Sequence, residues 1–205
     1  MHPFLSRLGI PTVIQQHFTP FYTNDDSGNL CFSYHDHQEV FGFGFHRVPA
    51  TEGLWMAGEL SDPAIKSVFI SHSAMEVILF AARYRHLLGP LYQHLFLATG
   101  AGLYASQLSR IKESCEGKGY ALIFEDDLLG RIADVKAAAA LHNLPVSLEL
   151  TGQERLYIRF RNQHFCLPQQ GFSLHAFERA SGYRFGIKTY KSKTGSSFLD
   201  NRSVY

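Results

Sequence analysis

Two periods of hydrophobicity alternate along the chain. Residues 3–18 carry apolar positions at helical spacing, interrupted by Gly9-Ile10-Pro11, which predicts two short helices. Polar, turn-rich Asn24–Asn29 follows, and Leu30–Tyr34 then alternates apolar and polar. A second polar turn is expected over His35–Glu39, and Val40–Val48 reads VFGFGFHRV. This segment predicts a small antiparallel meander. From Ser67 the pattern becomes strand, helix, strand. Ser67–Ile70, His94–Ala98, Tyr120–Phe124 and Pro145–Leu150 read as strands. Ser73–Leu88, Tyr104–Ser114 and Leu128–His142 read as helices, the first stopping at Gly89-Pro90. Such alternation predicts a parallel sheet with helices on both faces, whose ligands sit beyond the carboxyl ends of the strands. Arg155–Phe160 and Gln163–Leu167 predict a hairpin turning at Arg161-Asn162. Ser173–Ser181 reads as a helix, and the polar, basic stretch from Lys188 carries no regular period.

The 205 residues set an expectation of one domain with a subdomain, and 45% apolar against 18% charged residues is an ordinary globular mix. No apolar run is long enough to span a bilayer, and MHPFLSRLGI lacks the pattern of a signal peptide. Cys31, Cys115 and Cys166 stand far apart and are odd in number, which disfavours a disulfide framework or a cysteine zinc site. The expectation is a cytoplasmic protein without membrane contact.

A net charge of +1 hides an asymmetry. Residues 1–154 hold 10 Lys and Arg against 16 Asp and Glu, a balance of −6. Residues 155–205 hold 9 basic residues against Glu178 and Asp200, a balance of +7. Opposed charge fits a basic arm for polyanions beside an acidic centre, or two halves that attract each other.

Two polar clusters fall at expected strand ends: Ser71-His72-Ser73 and Glu125-Asp126-Asp127. Carboxylates leaving a strand at positions i and i+2 can share a hard divalent cation, and the same acids can simply cap the following helix. Ser71 and Ser73 are cap candidates, while His72 is a candidate metal ligand or general acid. His35 and His37 have metal-ligand spacing, but Asp36 and Gln38 around them read as turn chemistry.

The stretch KSVFISHSAMEVILFAARY…LFLATGAGLYASQLSRIKE…GYALIFEDDLLGRIADVKAAAAL resembles the toprim domain of bacterial DNA primases, type IA topoisomerases and related nucleases. The helix after His72, the ATGAG turn and FEDDLLGR, similar to Asp-x-Asp-x-x-Gly-Arg, occur in the family's order over residues 66–150. FLSRLGI and GNLCFSYHDHQEVFGFGFHRV resemble the primase segments upstream. The resemblance implies an α/β fold: a toprim-like, mostly parallel sheet flanked by helices, a small N-terminal α+β subdomain and a basic C-terminal extension. The corresponding divisions are 1–64, 65–150 and 151–205. Phe32, Phe41, Phe43 and Phe45 are too many aromatics for a free meander to cover, so residues 1–64 are expected to pack on the sheet rather than fold alone.

By the same resemblance His72, Glu125 and Asp127 are the catalytic positions. Glu125, Asp127 and Asp126 would hold a divalent cation, Mg²⁺ or Mn²⁺. Here His72 stands where the family has Glu, and Glu125 replaces the first Asp. Such changes of charge and proton inventory point to weak or lost catalysis. The expected function is a primase-like, nucleic-acid-associated protein of a replication or mobile-element context. It would bind DNA or RNA weakly and without sequence preference, through Arg131, Arg159, Arg161, Lys188, Lys191 and Lys193. The alternatives are an active metal-dependent nuclease or primase, and a non-catalytic protein-interaction module on the same scaffold.

Overall fold

The computed structural model describes residues 1–60, 62–152 and 154–201. Arg202, counted above in the basic balance, lies outside the described residues. Pro3–Arg7 (α1) and Thr12–Phe18 (α2) are the two expected short helices. Four strands then form an antiparallel sheet in sequential order: Thr23–Asn24 (β1), Leu30–Tyr34 (β2), His37–Gly42 (β3) and Phe45–Arg47 (β4). The expected continuous strand 40–48 is broken at Phe43-Gly44, where Gly44 takes φ +82°, a value that favours glycine.

A five-stranded sheet forms the centre. Its strands are Trp55–Ala57 (β5), Ser67–Ser71 (β6), His94–Ala98 (β7), Gly119–Leu122 (β8) and Lys188–Thr189 (β12), in spatial order β12-β8-β6-β7-β5. β12, β8, β6 and β7 are parallel, and β5 runs antiparallel at one edge. The helices Ala74–Leu88 (α3), Ala105–Ser114 (α4) and Leu128–Leu141 (α5) follow β6, β7 and β8. Alternate residues of the strands feed two apolar clusters. Val68, Ile70, Leu95, Leu97 and Leu122 pack with α4 and α5. Phe69, Phe96 and Ala121 pack with α3, α2 and the first sheet. That second cluster includes Phe18, Phe32, Phe41 and Trp55, so the N-terminal elements share their core with the central sheet.

A third sheet is antiparallel, with order β11-β10-β9: Val146–Thr151 (β9), Arg155–Phe160 (β10) and Gln163–Pro168 (β11). Arg161 and Asn162 turn the predicted hairpin with φ +48° and +60°, the signature of a tight two-residue turn. Leu174–Ser181 (α6) packs its Phe177 against Phe160, ring centroids 5.2 Å apart.

The expected toprim-like, mostly parallel sheet flanked by helices is therefore corrected. Among the described residues two of the three sheets are wholly antiparallel, and the third is mixed. The strand near 145–150, expected to extend the parallel sheet, pairs antiparallel with β10 instead. The physical reason is visible in the strands themselves. SVFIS and HLFLA are near-continuous apolar runs, as strands covered on both faces require. VSLELT alternates, as befits a strand with one wet face, and a short turn to β10 closes at less entropic cost than a crossover. The free edge of β8 is taken by β12, in the basic stretch where no regular structure was expected. Among the described residues no helix is long and apolar enough to cross a membrane.

Candidate functional site: a polar centre at the strand ends

The carboxyl ends of β6, β7 and β8 are stitched together by their own loops. Thr99 N–H donates to the Ser71 carbonyl at 2.9 Å, and Gly100 N–H to the His72 carbonyl at 2.9 Å. The Ser71 hydroxyl donates to the Ile123 carbonyl at 3.2 Å. This geometry brings the two predicted polar clusters to one sheet edge. His72 Nδ1 lies 2.9 Å from Glu125 Oε2, with the imidazole 4.4 Å from the Phe124 ring centroid. Burial pushes Glu125 up, but the hydrogen bond and charge of His72 outweigh it and hold the carboxyl below its ordinary range.

The three consecutive acids do not converge. Glu125 faces His72. Asp126 Oδ1 binds the Arg131 guanidinium at 3.0 Å. Asp127 caps α5, accepting from Gly130 N–H at 2.7 Å. Gly130 is required here: a Cβ at that position would stand 2.1 Å from the Glu125 carbonyl oxygen. Among the described residues no group of three or more His, Cys, Asp or Glu side chains is placed to hold a metal ion. As arranged, Glu125, Asp126 and Asp127 do not fit a shared divalent cation, whose several hard oxygen ligands must meet at one point.

Two buried acids that the sequence reading passed over complete the centre. Asp134, on α5, is fully buried and receives Lys191 Nζ at 2.6 Å on Oδ2. Lys191 spends its other protons on the Phe124 and Glu125 carbonyls, at 3.1 and 3.0 Å. Burial pushes Asp134 up to about 7, against the pull of Lys191 and His72. Its Oδ1 is buried without a hydrogen-bond partner.

Glu39, placed in a polar turn by the sequence reading, is instead fully buried in β3. It accepts from Tyr34 Oη at 2.6 Å, Ser73 Oγ at 2.7 Å, and Ala74 and Met75 N–H at 2.8 and 3.0 Å. His46 Nε2 adds a contact at 2.8 Å. Burial pushes Glu39 up, but these hydrogen bonds and the His46 charge hold it below the ordinary carboxylate range. The N-terminus of α3, which could have received an external anion, is filled by the chain's own carboxylate. Signals for Glu39 and Asp134 were weak. The first followed a run of turn formers, and the second sits on a helix where an acid ordinarily faces water.

The basic residues sort by exposure. Arg131 is paired with Asp126, and Lys191 with Asp134. Arg161 lies over Tyr183, 5.3 Å from the ring centroid. Lys188 and Lys193 are exposed. On β10 the pattern is regular: Leu156, Ile158 and Phe160 are buried, whereas Arg155, Tyr157 and Arg159 face outward. Their cross-strand neighbours are Thr151, Glu149 and Ser147 on β9, and Pro168, Cys166 and His164 on β11. Tyr157 is 49% exposed at the middle of this face. Four other aromatics of the basic segment are spent on packing: Phe160, Phe165 and Tyr183 on the apolar cluster below β10, and Tyr190 against Phe80 at 5.1 Å. No protein family, characterised protein or solved structure matches this chain.

Proposed function

We propose that the protein binds single-stranded nucleic acid, without sequence preference, on the outer face of the β9–β10–β11 sheet. The polar centre around His72 then serves structure rather than catalysis. The observation that carries this reading is the exposed row Arg155-Tyr157-Arg159, a ring between two guanidiniums on a rigid strand. Rings on such a face stack on bases of any identity, while guanidiniums meet phosphates. His164, beside Arg159, extends the row across β11. The +7 balance of residues 155–205 favours polyanions in general. Glu149, beside Tyr157, opposes it locally and keeps the affinity modest. The non-catalytic reading of the centre is supported by the separate commitments of Glu125, Asp126 and Asp127.

The test is fluorescence anisotropy of labelled oligo-dT and oligo-U against the whole chain at two salt concentrations. Contacts from Arg155, Arg159 and Arg161 give a log–log salt slope of roughly −2 on a single strand. Tyr157→Ala should weaken binding about tenfold, within the 1–3 kcal/mol ascribed to a stacked base. Arg159→Ala should flatten the slope by about 0.7. Binding indifferent to both substitutions, or none at low salt, overturns the proposal.

A further inference from the structure

A cavity of about 760 Å³ includes none of the polar centre or the β10 face in its lining. It opens between α1 and its following loop, the Phe43-Gly44 turn and the outer side of α3, and Phe198 and Leu199 close one end. The volume is in the range of small-molecule sites. Its walls are apolar apart from two charges of one sign. Arg7 comes from α1 and Arg83 from α3, and among the described residues no acidic residue lines the space. Neither guanidinium makes an ion pair with a carboxylate among the described residues. Each lies instead against a ring: Arg7 at 5.2 Å from the Phe43 centroid, Arg83 at 6.0 Å from that of Phe198. Phe43 itself is 74% exposed at the rim.

We propose that this groove binds a small amphiphilic anion: a flat or aliphatic apolar body carrying one carboxylate, sulfonate or phosphate group. The apolar body would lie along Leu79 and Ala82, and the head group would take the fork of Arg7 or Arg83. Charge complementarity selects this ligand class over a neutral one, since both unpaired guanidiniums face the same space. The proposal is independent of nucleic-acid binding, because it shares no residue with the β10 face.

The probes are 8-anilinonaphthalene-1-sulfonate and N-phenyl-1-naphthylamine, the same ring system without the sulfonate. Calorimetry should give one sulfonate probe per chain, with the neutral probe binding about tenfold more weakly or worse, as expected for loss of a charge-assisted contact. Arg7→Gln and Arg83→Gln should each weaken the sulfonate probe severalfold and leave the neutral one unchanged. Ala82→Trp, which fills the groove, should remove both. Unchanged melting curves of the three variants separate loss of the site from loss of the fold. Equal binding of the two probes, several sites per chain, or indifference to both Arg substitutions overturns the proposal. So does a gain of affinity when residues 202–205 are deleted, which would make the chain's own end the occupant. A dimer that the probe dissociates would equally overturn it, by making a second copy the occupant.

Discussion

Glu39 and Asp134 are both buried carboxylates, yet they respond to pH with opposite sign. Glu39 gathers five polar contacts and is held below its ordinary value of 4.5. Its contribution to stability is present above that value and is lost as pH falls through the lower folded one. Glu39→Ala leaves Ser73, Tyr34, His46 and two backbone N–H groups without their acceptor. We expect a loss of about 3 kcal/mol or more in urea unfolding at pH 7. A loss under 1 kcal/mol would show that water replaces the carboxylate. Asp134 is raised from 3.8 to about 7. Between those values the folded chain holds a proton that the unfolded chain has released, so stability declines as pH rises from about 4 to 7. Asp134→Asn should remove that decline while leaving the low-pH loss due to Glu39. Parallel stability–pH curves for the variant and the parent would count against this assignment. Neither residue was legible from sequence, because an acid announces its burial through its partners, and Ser73 and Lys191 are brought from 34 and 57 positions away.

At the level of elements, regular patterns were legible and short strands were not. The helices following β6, β7 and β8, and the 155–167 hairpin, stand within one or two residues of the boundaries their periodicity predicts. β5 and β12, of three and two residues, carry too few positions for any period to register. β9 was legible as a strand, and its alternation also held the clue to its antiparallel partner. The EDD run reads from sequence both as a helix N-terminus and as a cation cluster, and in the structure Asp127, the acid that leads α5, caps the helix. Asp127→Ala should therefore cost about 1 kcal/mol, and Asp127→Ser should recover most of it. Thermal unfolding of the two variants gives the comparison, and equal losses would mean that the carboxylate has a role beyond capping. Gly130→Ala should cost more, since its Cβ would collide with the Glu125 backbone and push that residue from His72.

On the scale of the whole molecule, the basic segment is a closing piece. β12 completes the central sheet, and Lys191 is the partner of Asp134. Phe198 and Leu199 lay their N–H groups on Glu76 Oε2 and Oε1, at 2.8 and 3.3 Å. A chain ending at Gly186 loses all three contributions at once. We expect its cooperative melting transition to fall by well over 10 °C, or to vanish. A transition within a few degrees of the full chain's would show that the segment only decorates a finished core. The asymmetry of charge visible in the sequence is thus partly internal, with Lys191 neutralising an acid of the other half, while the β10 arginines keep theirs for the outside.

This return of the chain has a consequence for synthesis. Lys191 and the Phe124 carbonyl it binds lie 67 positions apart. At roughly 5–20 residues per second, several seconds pass between making β8 and making the strand that covers it. During that interval a growing chain presents an apolar strand with an open row of backbone donors and acceptors, a template for pairing with a neighbour. We expect mispairing through β8 to concentrate on growing chains whose β8 has left the ribosome and whose β12 has not. A chaperone that shields one strand edge for a few seconds would protect this protein at its weakest moment.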